Sequence, residues 1–391
     1  MQIGIAANYL LFEQAGIGKY TENLLKNLFK IDHKPASPAG RNHYILYFSY
    51  FRHREERAKL ISQKLGNLPK NVSIKFLRIP AAWLEYLFTT KISVRRIIPD
   101  NLDLFFSPYV TGIPKNGFSK MVVMVHDLVF MRFPEHRGKK LSNYYLKRHK
   151  IAIQNCQKII VPSMSTKLDL INLLDANAKK IVLIPEAADE RFKPIKDPKK
   201  IKQIISQYFD PSFKYILSVG TLEPRKNLAK LVEAFSLLPH QILKNYRLVL
   251  VGAKGWNNSP LYQIISDLNI GDKIILSGFV SDEDLPYIYN GAKIFVYPSL
   301  YEGFGLPPLE ALACGLPIIS SKTSSMGEVI GKAGILIDPE NEKEIAGAIK
   351  LLINKPKLAQ KLSKQALAQA KKFSWGKAAK ETLKVFEEVV R

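Results

Sequence analysis

The chain has 391 residues and a mass of 44.3 kDa, with 47% hydrophobic and 24% charged residues, which is ordinary for a soluble globular protein of two or three domains. This composition excludes a disordered or collagen-like chain, and two widely separated cysteines, Cys156 and Cys314, argue against a disulfide scaffold or a structural zinc site. The formal net charge of +24 is the one unusual value, and it predicts an anionic partner.

The positive charge is concentrated in the first half. Residues 1–200 contain 34 Lys and Arg against 16 Asp and Glu, whereas residues 201–391 contain 24 against 18. The first half is therefore expected to meet a bilayer surface, a nucleic acid or a phosphorylated substrate. No apolar stretch approaches the roughly 18 residues that a spanning helix needs, so we expect a cytoplasmic protein that at most lies on a membrane.

Short runs of β-branched or aromatic residues alternate with helical patterns along the whole chain. The first run lies in MQIGIAANYL, which has no basic residue ahead of it and so predicts a strand and not a signal peptide. In the first half, strands are predicted at residues 3–6, 44–48, 72–77, 104–106, 121–125, 159–161 and 181–184. In the second half they are predicted at residues 215–219, 247–251, 274–277, 294–297, 317–320 and 335–337.

This alternation predicts an α/β protein with two Rossmann-like, doubly wound domains. The polar segment EAADERFKPIKDPKK, residues 186–200, has two prolines and no apolar period, and it marks the boundary. We predict domains at residues 1–190 and 191–372, followed by a terminal helix over residues 373–391. Two such sheets are expected to face each other across a cleft, with ligands bound by loops that follow the strands.

Two motifs in the first half follow predicted strands. In NYLLFEQAGIGKYTENLL, Gly16 and Gly18 precede an amphipathic helix; a glycine pair at this position is as often a plain turn as a ligand loop. The strand MVVMV is followed by His126 and Asp127, a polar pair at the carboxyl edge of a sheet.

The segment AAWLEYLFTTKISVRRIIP, residues 81–99, allows two interpretations. Its aromatic residues and its cations, Lys91, Arg95 and Arg96, suit a helix lying in a membrane interface. A core-facing helix with a solvated basic face explains the same pattern, and we favour it. Further cations, Lys140, Lys147, Arg148 and Lys150, lie on another predicted helix.

In the second half, GTLEPRKNLAKLVEAF places Arg225 and Lys226 between a strand and the next helix. Adjacent cations at such a turn can bind a diphosphate and stabilise it as a leaving group. A solvated basic turn is the alternative.

The sequence SDEDLPYIYN contains Asp282 and Asp284, the DxD spacing that chelates a metal in some sugar transferases. Because Ser281 followed by acids and then apolar residues is typical of a helix N-terminus, we predict no metal here. The nearby VGAKGWNN lacks the third glycine and the downstream acid of a dinucleotide fingerprint, which disfavours an NAD enzyme.

The strongest motif is LYEGFGLPPLEALACGLPII, which follows the predicted strand IFVYPS. Glu302 is expected in a loop and Glu310 about a turn into a helix, because proline is tolerated in a first helical turn. Gly303 and Gly305 allow close backbone approach, and the amides of a helix start attract phosphate. This geometry suits a nucleotide sugar.

Together, EGFGLPPLE, GTLEPRKNL, GIGKY and VHDL resemble the retaining GT-B enzymes of glycosyltransferase family four, over nearly the whole chain and in the same order. The resemblance implies that Glu310 holds the nucleotide ribose, Glu302 contacts the transferred sugar, and Arg225 and Lys226 bind the diphosphate. Thr221 stands where some relatives have an arginine, which would place more of the phosphate charge on these two cations.

The resemblance also implies roles for other residues. His126 would contact the sugar or the transition state, and the terminal helix would return to the first domain. The remaining residues implied in donor binding are Gly16, Gly18, Phe279, Val280, Gly303, Phe304, Gly305 and Leu306.

The predicted function is therefore metal-independent, retaining hexosyl transfer without a cofactor. GIGKY and HDL are most similar to bacterial mannosyltransferases of surface polysaccharide synthesis, which favours GDP-mannose as donor and a saccharide or lipid-linked acceptor. The alternatives are a UDP-sugar donor, a sugar phosphorylase and, from charge alone, a nucleic-acid-binding protein. No nucleic-acid motif or aromatic stacking platform supports the last of these, so no nucleic acid is expected.

Overall fold

A computed structural model describes residues 1–11, 16–32, 42–50, 54–134, 138–255 and 259–391. The chain divides into two compact units: unit 1 comprises Met1–Glu186 and Ser374–Arg391, and unit 2 comprises Ala187–Phe373. The sequence placed the corresponding boundaries near residue 190 and at residue 372. No helix in the described ranges is both long and apolar enough to cross a membrane.

Each unit is built on one parallel sheet. The strands of unit 1 are β1 (Gln2–Ala6), β2 (His43–Ser49), β3 (Val72–Leu77), β4 (Leu104–Ser107), β5 (Met121–Met124), β6 (Lys158–Val161) and β7 (Ile181–Leu183). Those of unit 2 are β8 (Lys214–Val219), β9 (Tyr246–Val251), β10 (Ile274–Gly278), β11 (Ile294–Tyr297), β12 (Ile318–Ser321) and β13 (Gly334–Ile337). Every predicted strand overlaps one of these, because short buried apolar runs are typical of parallel strands.

Helices separate the strands. Along unit 1 they are α1 (Gly16–Asp32), α2 (Arg54–Leu65), α3 (Ala81–Leu87), α4 (Val129–Arg132), α5 (Lys139–Asn155) and α6 (Met164–Leu174). Along unit 2 they are α7 (Pro198–Ile205), α8 (Leu228–Ser236), α9 (His240–Asn245), α10 (Ser259–Asp267), α11 (Leu285–Gly291), α12 (Leu306–Ala313), α13 (Met326–Ile330), α14 (Glu342–Asn354) and α15 (Pro356–Ala370). The last helix, α16 (Trp375–Val390), belongs to unit 1.

The strand order shows where each sheet changes direction. It is β3-β2-β1-β4-β5-β6-β7 in unit 1 and β10-β9-β8-β11-β12-β13 in unit 2. The order therefore reverses between β1 and β4 and between β8 and β11. Loops at such a switch point diverge and leave a crevice at the carboxyl edge, which is where open α/β sheets bind ligands.

The strands next to the switch points are covered on both faces. Strands β4, β5, β11 and β12 are buried along their whole length. In unit 1, α16 packs on α1, with the Trp375 ring 5.7 Å from the Tyr20 ring, and Phe386 lies 5.1 Å from Phe106 of β4. The C-terminal helix is therefore part of the core of unit 1, although it follows unit 2 in the sequence.

Candidate active site

The residues with the clearest chemistry lie at the switch point of unit 2. Arg225 and Lys226 follow β8 in a 3₁₀ turn, Pro224–Lys226, and Glu302 follows β11. Since β8 and β11 are neighbours in the sheet, their loops emerge side by side. The fold thus brings together residues that are 76 positions apart in the sequence.

Glu302 is buried and accepts hydrogen bonds on both carboxylate oxygens. Its Oε1 lies 2.6 Å from Lys226 Nζ, 2.9 Å from the Tyr297 hydroxyl and 2.7 Å from the Ser299 hydroxyl. Its Oε2 lies 2.7 Å from Nη1 of Arg225. The charge of this buried carboxylate is therefore balanced by two cations and oriented by two hydroxyl groups.

Both cations are held by further contacts. Arg225 donates to Glu223 Oε1 through Nη2 at 2.6 Å and Nε at 3.1 Å, and its Nη1 donates to the Tyr301 carbonyl at 2.6 Å. Lys226 donates to the Tyr297 hydroxyl at 2.6 Å. The side chains of Arg225, Lys226, Glu223 and Glu302 carry two positive and two negative charges, so the cluster is neutral when all four are ionised.

The electrostatics of the cluster keep Glu302 ionised. Burial alone would raise the pKa of Glu302, but Arg225 and Lys226 lower it by more, so that it lies well below its ordinary value. Burial and the neighbouring Arg225 lower the pKa of Lys226, while Glu302 raises it and only partly offsets them. The site therefore presents fixed charges of both signs, which can bind a diphosphate and orient sugar hydroxyls.

The loop after β12 holds Glu302 in place. Ser324 Oγ accepts a hydrogen bond from the Glu302 amide at 2.9 Å. Ser325 Oγ donates to the carbonyls of Glu302 and Phe304, both at 3.0 Å, and Thr323 Oγ1 donates to the Leu300 carbonyl at 3.0 Å. Three consecutive hydroxyl side chains thus fix the path of the loop that carries the carboxylate.

The turn into α12 requires a glycine. Gly305 has φ +100°, and a Cβ there would lie 2.4 Å from the Cε atom of buried Met326. Pro307 and Pro308 follow in the first helical turn and have no N–H. The backbone amides that could bind an anion at this helix start therefore belong to residues ahead of the prolines, including Leu306.

Glu310 is the fifth of the eight residues of α12, about one turn into the helix as predicted, and it is buried. Its Oε2 accepts a hydrogen bond from the Tyr289 hydroxyl at 2.8 Å. Burial and then Glu310 raise the pKa of Tyr289 well above its ordinary value, so the phenol stays a donor. The role of Glu310 in holding the ribose remains a prediction.

Several residues predicted to bind the donor pack in the core of unit 2. The side chains of Val280 and Phe304 are buried in its hydrophobic core, and that of Leu306 is partly buried against it. Donor binding by these three residues stays a prediction, and it would involve their backbone atoms more readily than the buried side chains of Val280 and Phe304. Phe279 differs, because its side chain is 53% exposed just beyond β10 and is available to stack on a base.

In unit 1, the predicted glycine loop is helical where it is described. α1 begins at Gly16, so Gly16 and Gly18 lie in its first turn and not ahead of it; the expectation was wrong on this point. Residues 12–15, which belong to the same motif, lie outside the described residues. The implied role of the glycines in donor binding stays a prediction.

His126 follows β5, and both of its ring nitrogens have protein partners. Nε2 lies 2.9 Å from the Pro108 carbonyl oxygen, and Nδ1 lies 3.0 Å from Glu186 Oε1. Since a carbonyl oxygen only accepts, the proton of this contact is on Nε2. The ring is further packed edge-on against Tyr20 at 4.8 Å. A substrate contact through His126 would therefore need one of these bonds to be exchanged.

The DxD sequence has the local structure expected of a helix start. Ser281 Oγ accepts a hydrogen bond from the Asp284 amide at 3.1 Å, and Asp284 Oδ2 accepts one from the Tyr208 hydroxyl at 2.7 Å. Among the described residues, no group of three His, Cys, Asp or Glu side chains is arranged to hold a metal ion. Metal independence stays a prediction.

Sequence reasoning missed the partners that position these groups. Tyr297 and Ser299 were interpreted only as the end of a strand, although their hydroxyls bind Glu302. Glu223 stands two positions before Arg225, and this proximity was a usable signal. Glu186 was assigned only to the domain boundary, and no local pattern links it to His126.

Comparison with known proteins supports the predicted glycosyltransferase family. Residues 200–369 match the family model described as glycosyl transferases group 1. O-antigen chain mannosyltransferase B of Escherichia coli is 34% identical over 268 residues, which cover 68% of this chain and 70% of that protein. The serotype-specific mannosyltransferase WbdA of Escherichia coli is 30% identical over 313 residues, which cover 77% of this chain but only 38% of that protein.

The fold has solved counterparts over its full length. The crystal structure of Anabaena Alr3699/HepE in complex with UDP and glucose superimposes with a TM-score of 0.74 at 17% identity, covering 99% of this chain and 100% of that one. Likenesses of this kind confirm the predicted fold class of two Rossmann-like domains of the GT-B type. The matched sequence, the mannosyltransferase relatives and the fold agree, and this chain belongs to the group 1 glycosyltransferase family.

Proposed function

We propose that this protein is a retaining mannosyltransferase that transfers mannose from GDP-mannose to a saccharide or lipid-linked acceptor in cell-surface polysaccharide synthesis. One observation carries the proposal: the cluster of Arg225, Lys226 and Glu302 at the switch point of unit 2. The names of the relatives supply the sugar, since both reported relatives are mannosyltransferases. Unit 2 would bind the donor and unit 1 the acceptor.

The cluster supports diphosphate departure in the following way. The bond from the sugar C1 to the diphosphate oxygen breaks, and the leaving group gains negative charge. Arg225, Lys226 and the amides ahead of α12 are preorganised donors, which stabilise such charge without reorganisation. Glu302 stays ionised and can accept hydrogen bonds from sugar hydroxyls.

We prefer front-face substitution. Glu302 accepts four hydrogen-bonding or ionic contacts from neighbouring side chains, so it is poorly suited to act as a covalent nucleophile. The acceptor hydroxyl then attacks C1 on the face that the diphosphate leaves, and its proton passes to the departing phosphate oxygen. The new C1–O bond keeps the anomeric configuration of the donor.

Two other enzymatic functions fit the same fold. A UDP-sugar donor is favoured by one observation, because the structure of HepE, which this chain resembles, holds UDP and glucose. A sugar phosphorylase would use inorganic phosphate and need no nucleotide. The mannosyltransferase relatives make both alternatives weaker than GDP-mannose.

Thermal-shift measurements with GDP, UDP, ADP and their sugars, and separately with inorganic phosphate, test the proposal. A ligand at 100 times its dissociation constant stabilises the folded protein by about 2.7 kcal/mol, so the true donor should raise the melting temperature most. We expect GDP and GDP-mannose to do so, with and without EDTA. Stabilisation by UDP-sugars alone, or by phosphate without nucleotide, would transfer the assignment to the corresponding alternative.

The product then tests the mechanism. NMR of the product made from GDP-mannose, whose anomeric configuration is α, should show an α-linked mannose. A β-linked product would contradict retention.

A further inference from the structure

Unit 1 carries a surface on which exposed aromatic side chains lie beside exposed cations. We call it the basic aromatic face, and it comprises Trp83, Tyr86, Lys91, Ile92, Arg95, Arg96, Lys115, Lys147 and Lys150. None of these residues belongs to the candidate active site. The face comes from α3, from the segments that follow α3 and β4, and from α5.

The apolar side chains of this face are exposed to solvent. Trp83 is 66% exposed, Tyr86 65% and Ile92 49%. Trp83 and Tyr86 are three residues apart on α3 and so lie on one side of the helix. Leu84 and Phe88 pack into the core on the other side. The favoured core-facing interpretation of this segment is therefore right for Leu84, Phe88 and Val94 and wrong for Trp83. Tyr86, which was not part of that interpretation, is exposed as well.

Hydrogen bonds join the segments of the face into one surface. The Lys115 amide donates to the Phe88 carbonyl at 2.8 Å, and Asn116 Nδ2 donates to the Lys91 carbonyl at 3.1 Å. Asn155, at the end of α5, donates to the Lys115 carbonyl at 2.8 Å. Helix α5 also contacts α3 directly, because the Tyr144 hydroxyl of α5 donates to Glu85 Oε2 of α3 at 2.7 Å.

The charge of the face is of one sign. All six of its Lys and Arg side chains are exposed. The sequence has no Asp or Glu in residues 86–99, 104–126 or 139–168. Glu85, the acid nearest in sequence, accepts hydrogen bonds from Thr111 and Tyr144 and so is engaged within unit 1.

A groove of about 450 Å³ lies within this face. Its walls include the three lysines Lys115, Lys147 and Lys150, and Leu146 and Ile151 contribute apolar surface. Ammonium groups beside apolar side chains suit a ligand with a phosphate at one end and a hydrocarbon chain at the other. A phospholipid headgroup with its glycerol and upper acyl carbons has this chemistry.

We propose that the basic aromatic face docks on a bilayer of anionic phospholipid, with Trp83 and Tyr86 inserted at the headgroup level and a lipid phosphate held in the lysine-lined groove. Tryptophan and tyrosine prefer the interface because their rings are apolar and their N–H or O–H groups can stay hydrated. Each Lys or Arg near an anionic surface contributes about 1 kcal/mol of attraction. Charge kept only for solubility would not need exposed aromatic rings.

Vesicle binding of the full-length chain tests the proposal, using phosphatidylcholine vesicles and vesicles of equal parts phosphatidylcholine and phosphatidylglycerol. We expect sedimentation with the anionic vesicles and little with the neutral ones. Lys91→Glu, Lys147→Glu and Lys150→Glu together should weaken binding by about 100-fold or more, from about 1 kcal/mol per lost cation.

A matched variant separates local from global charge. Lys357, Lys361 and Lys364 are exposed on α15 of unit 2, so changing these three to Glu lowers the net charge from +24 to +18, as the first variant does. Binding should stay within a few-fold of the parent. Equal loss in both variants would overturn the proposal, because net charge and not the face would then control binding.

The aromatic side chains are tested in the same way. Trp83→Ala with Tyr86→Ala should weaken vesicle binding at least tenfold and reduce the blue shift of tryptophan fluorescence. The control, Leu237→Ala with Leu351→Ala, removes exposed apolar side chains of unit 2 and should change neither. Unchanged binding in the Trp83 and Tyr86 variant would overturn the proposed insertion.

Nucleic acid is the competing partner. If the parent binds single-stranded DNA more tightly than anionic vesicles at the same salt concentration, and the face variants lose that binding, the face is a nucleic-acid surface and the membrane proposal fails. Nucleotide-induced thermal shifts should be retained in every variant, which shows that each one is folded. Vesicle binding is measured without catalysis. A negative result would therefore contradict the membrane proposal and leave the proposed mannosyl transfer untouched.

Discussion

The two units differ in whether the cations of their functional surfaces are buried and paired or exposed. At the site of unit 2, Arg225 and Lys226 are largely buried and each touches a carboxylate. On the basic aromatic face of unit 1, the cations are exposed, and the sequence has no Asp or Glu in residues 86–99, 104–126 or 139–168 around them. Burial requires pairing because an isolated charge is costly to desolvate, whereas an exposed cation remains hydrated. The paired charges of the site in unit 2 therefore suit chemistry, and the cations of the basic aromatic face, which form no ion pair among the described residues, suit association.

The largest effect is expected from removing both cations of unit 2. Arg225→Gln with Lys226→Gln should lower kcat about 1000-fold or more, since one preorganised donor typically contributes about 100- to 1000-fold. Nucleotide affinity should fall much less, because the charge of the leaving group develops in the transition state. Steady-state kinetics and calorimetric titration with nucleotide separate the two effects.

In this double variant Glu302 stays buried and keeps its hydroxyl partners, but it loses both cations. The folding of the variant therefore needs a control. A triple variant that adds Glu302→Gln removes the uncompensated charge and should recover much of the melting temperature. Turnover of the double variant is measured at a temperature at which it is folded, and near-normal turnover there would show that the cations do not act on the leaving group.

Glu302→Ala tests the paired charge as a structural element. It should lower the free energy of unfolding by about 3 to 5 kcal/mol, because both cations stay buried and lose a partner. Lys91→Ala on the exposed face of unit 1 should change it by no more than about 0.5 kcal/mol. Urea unfolding of both variants makes the comparison, and similar small losses would contradict the contrast between the units.

The stabilisation by Glu302 should also depend on pH. Its pKa is lowered in the folded protein, so its contribution is complete above the unfolded pKa, about 4.5, and is lost as the pH falls through the lower folded value. The parent should therefore lose stability below about pH 4.5 more steeply than Glu302→Gln does. Equal slopes would show that the carboxylate is not held ionised.

Glu310 provides a smaller effect, confined to binding. Glu310→Ala should weaken nucleotide binding by about 1.5 to 3 kcal/mol, which is typical for a lost hydrogen bond to a charged group. Tyr289→Phe removes only the hydroxyl that donates to Glu310 and should weaken binding less. Unchanged affinity in a folded Glu310→Ala protein would remove Glu310 from the donor site.

The smallest effect is expected in unit 1. His126→Ala should lower kcat about fivefold, in line with the roughly 1 kcal/mol of an ordinary hydrogen bond, and leave the Kd of the nucleotide unchanged. Glu186→Gln, which keeps a partner for the His126 ring, should retain more activity than His126→Ala. If His126→Ala instead weakened nucleotide binding, His126 would belong to donor recognition.

The sequence by itself determined the fold class and the strand pattern. Every strand of the described residues was predicted to within a few positions, because the strands of a parallel sheet are short runs rich in apolar residues, and these runs can be read from the local sequence. The turn residues of EGFGLPPLE were equally local signals, since the glycine with φ +100° and the prolines act on their own backbone. Glu302, Glu310, Arg225 and Lys226 could be singled out for this reason.

Only the tertiary structure decided which of these residues meet. The strand order places Lys226 beside Glu302 and leaves Glu310 with Tyr289, and no local pattern encodes either pairing. The same holds for His126 and Glu186, which are 60 positions apart. Exposure was likewise undecided, because the apolar pattern of residues 81–99 does not reveal that α3 is covered on one side only. Packing buried the side chains of Phe304 and Val280 and left that of Trp83 exposed, since burial depends on what the rest of the chain places against a side chain.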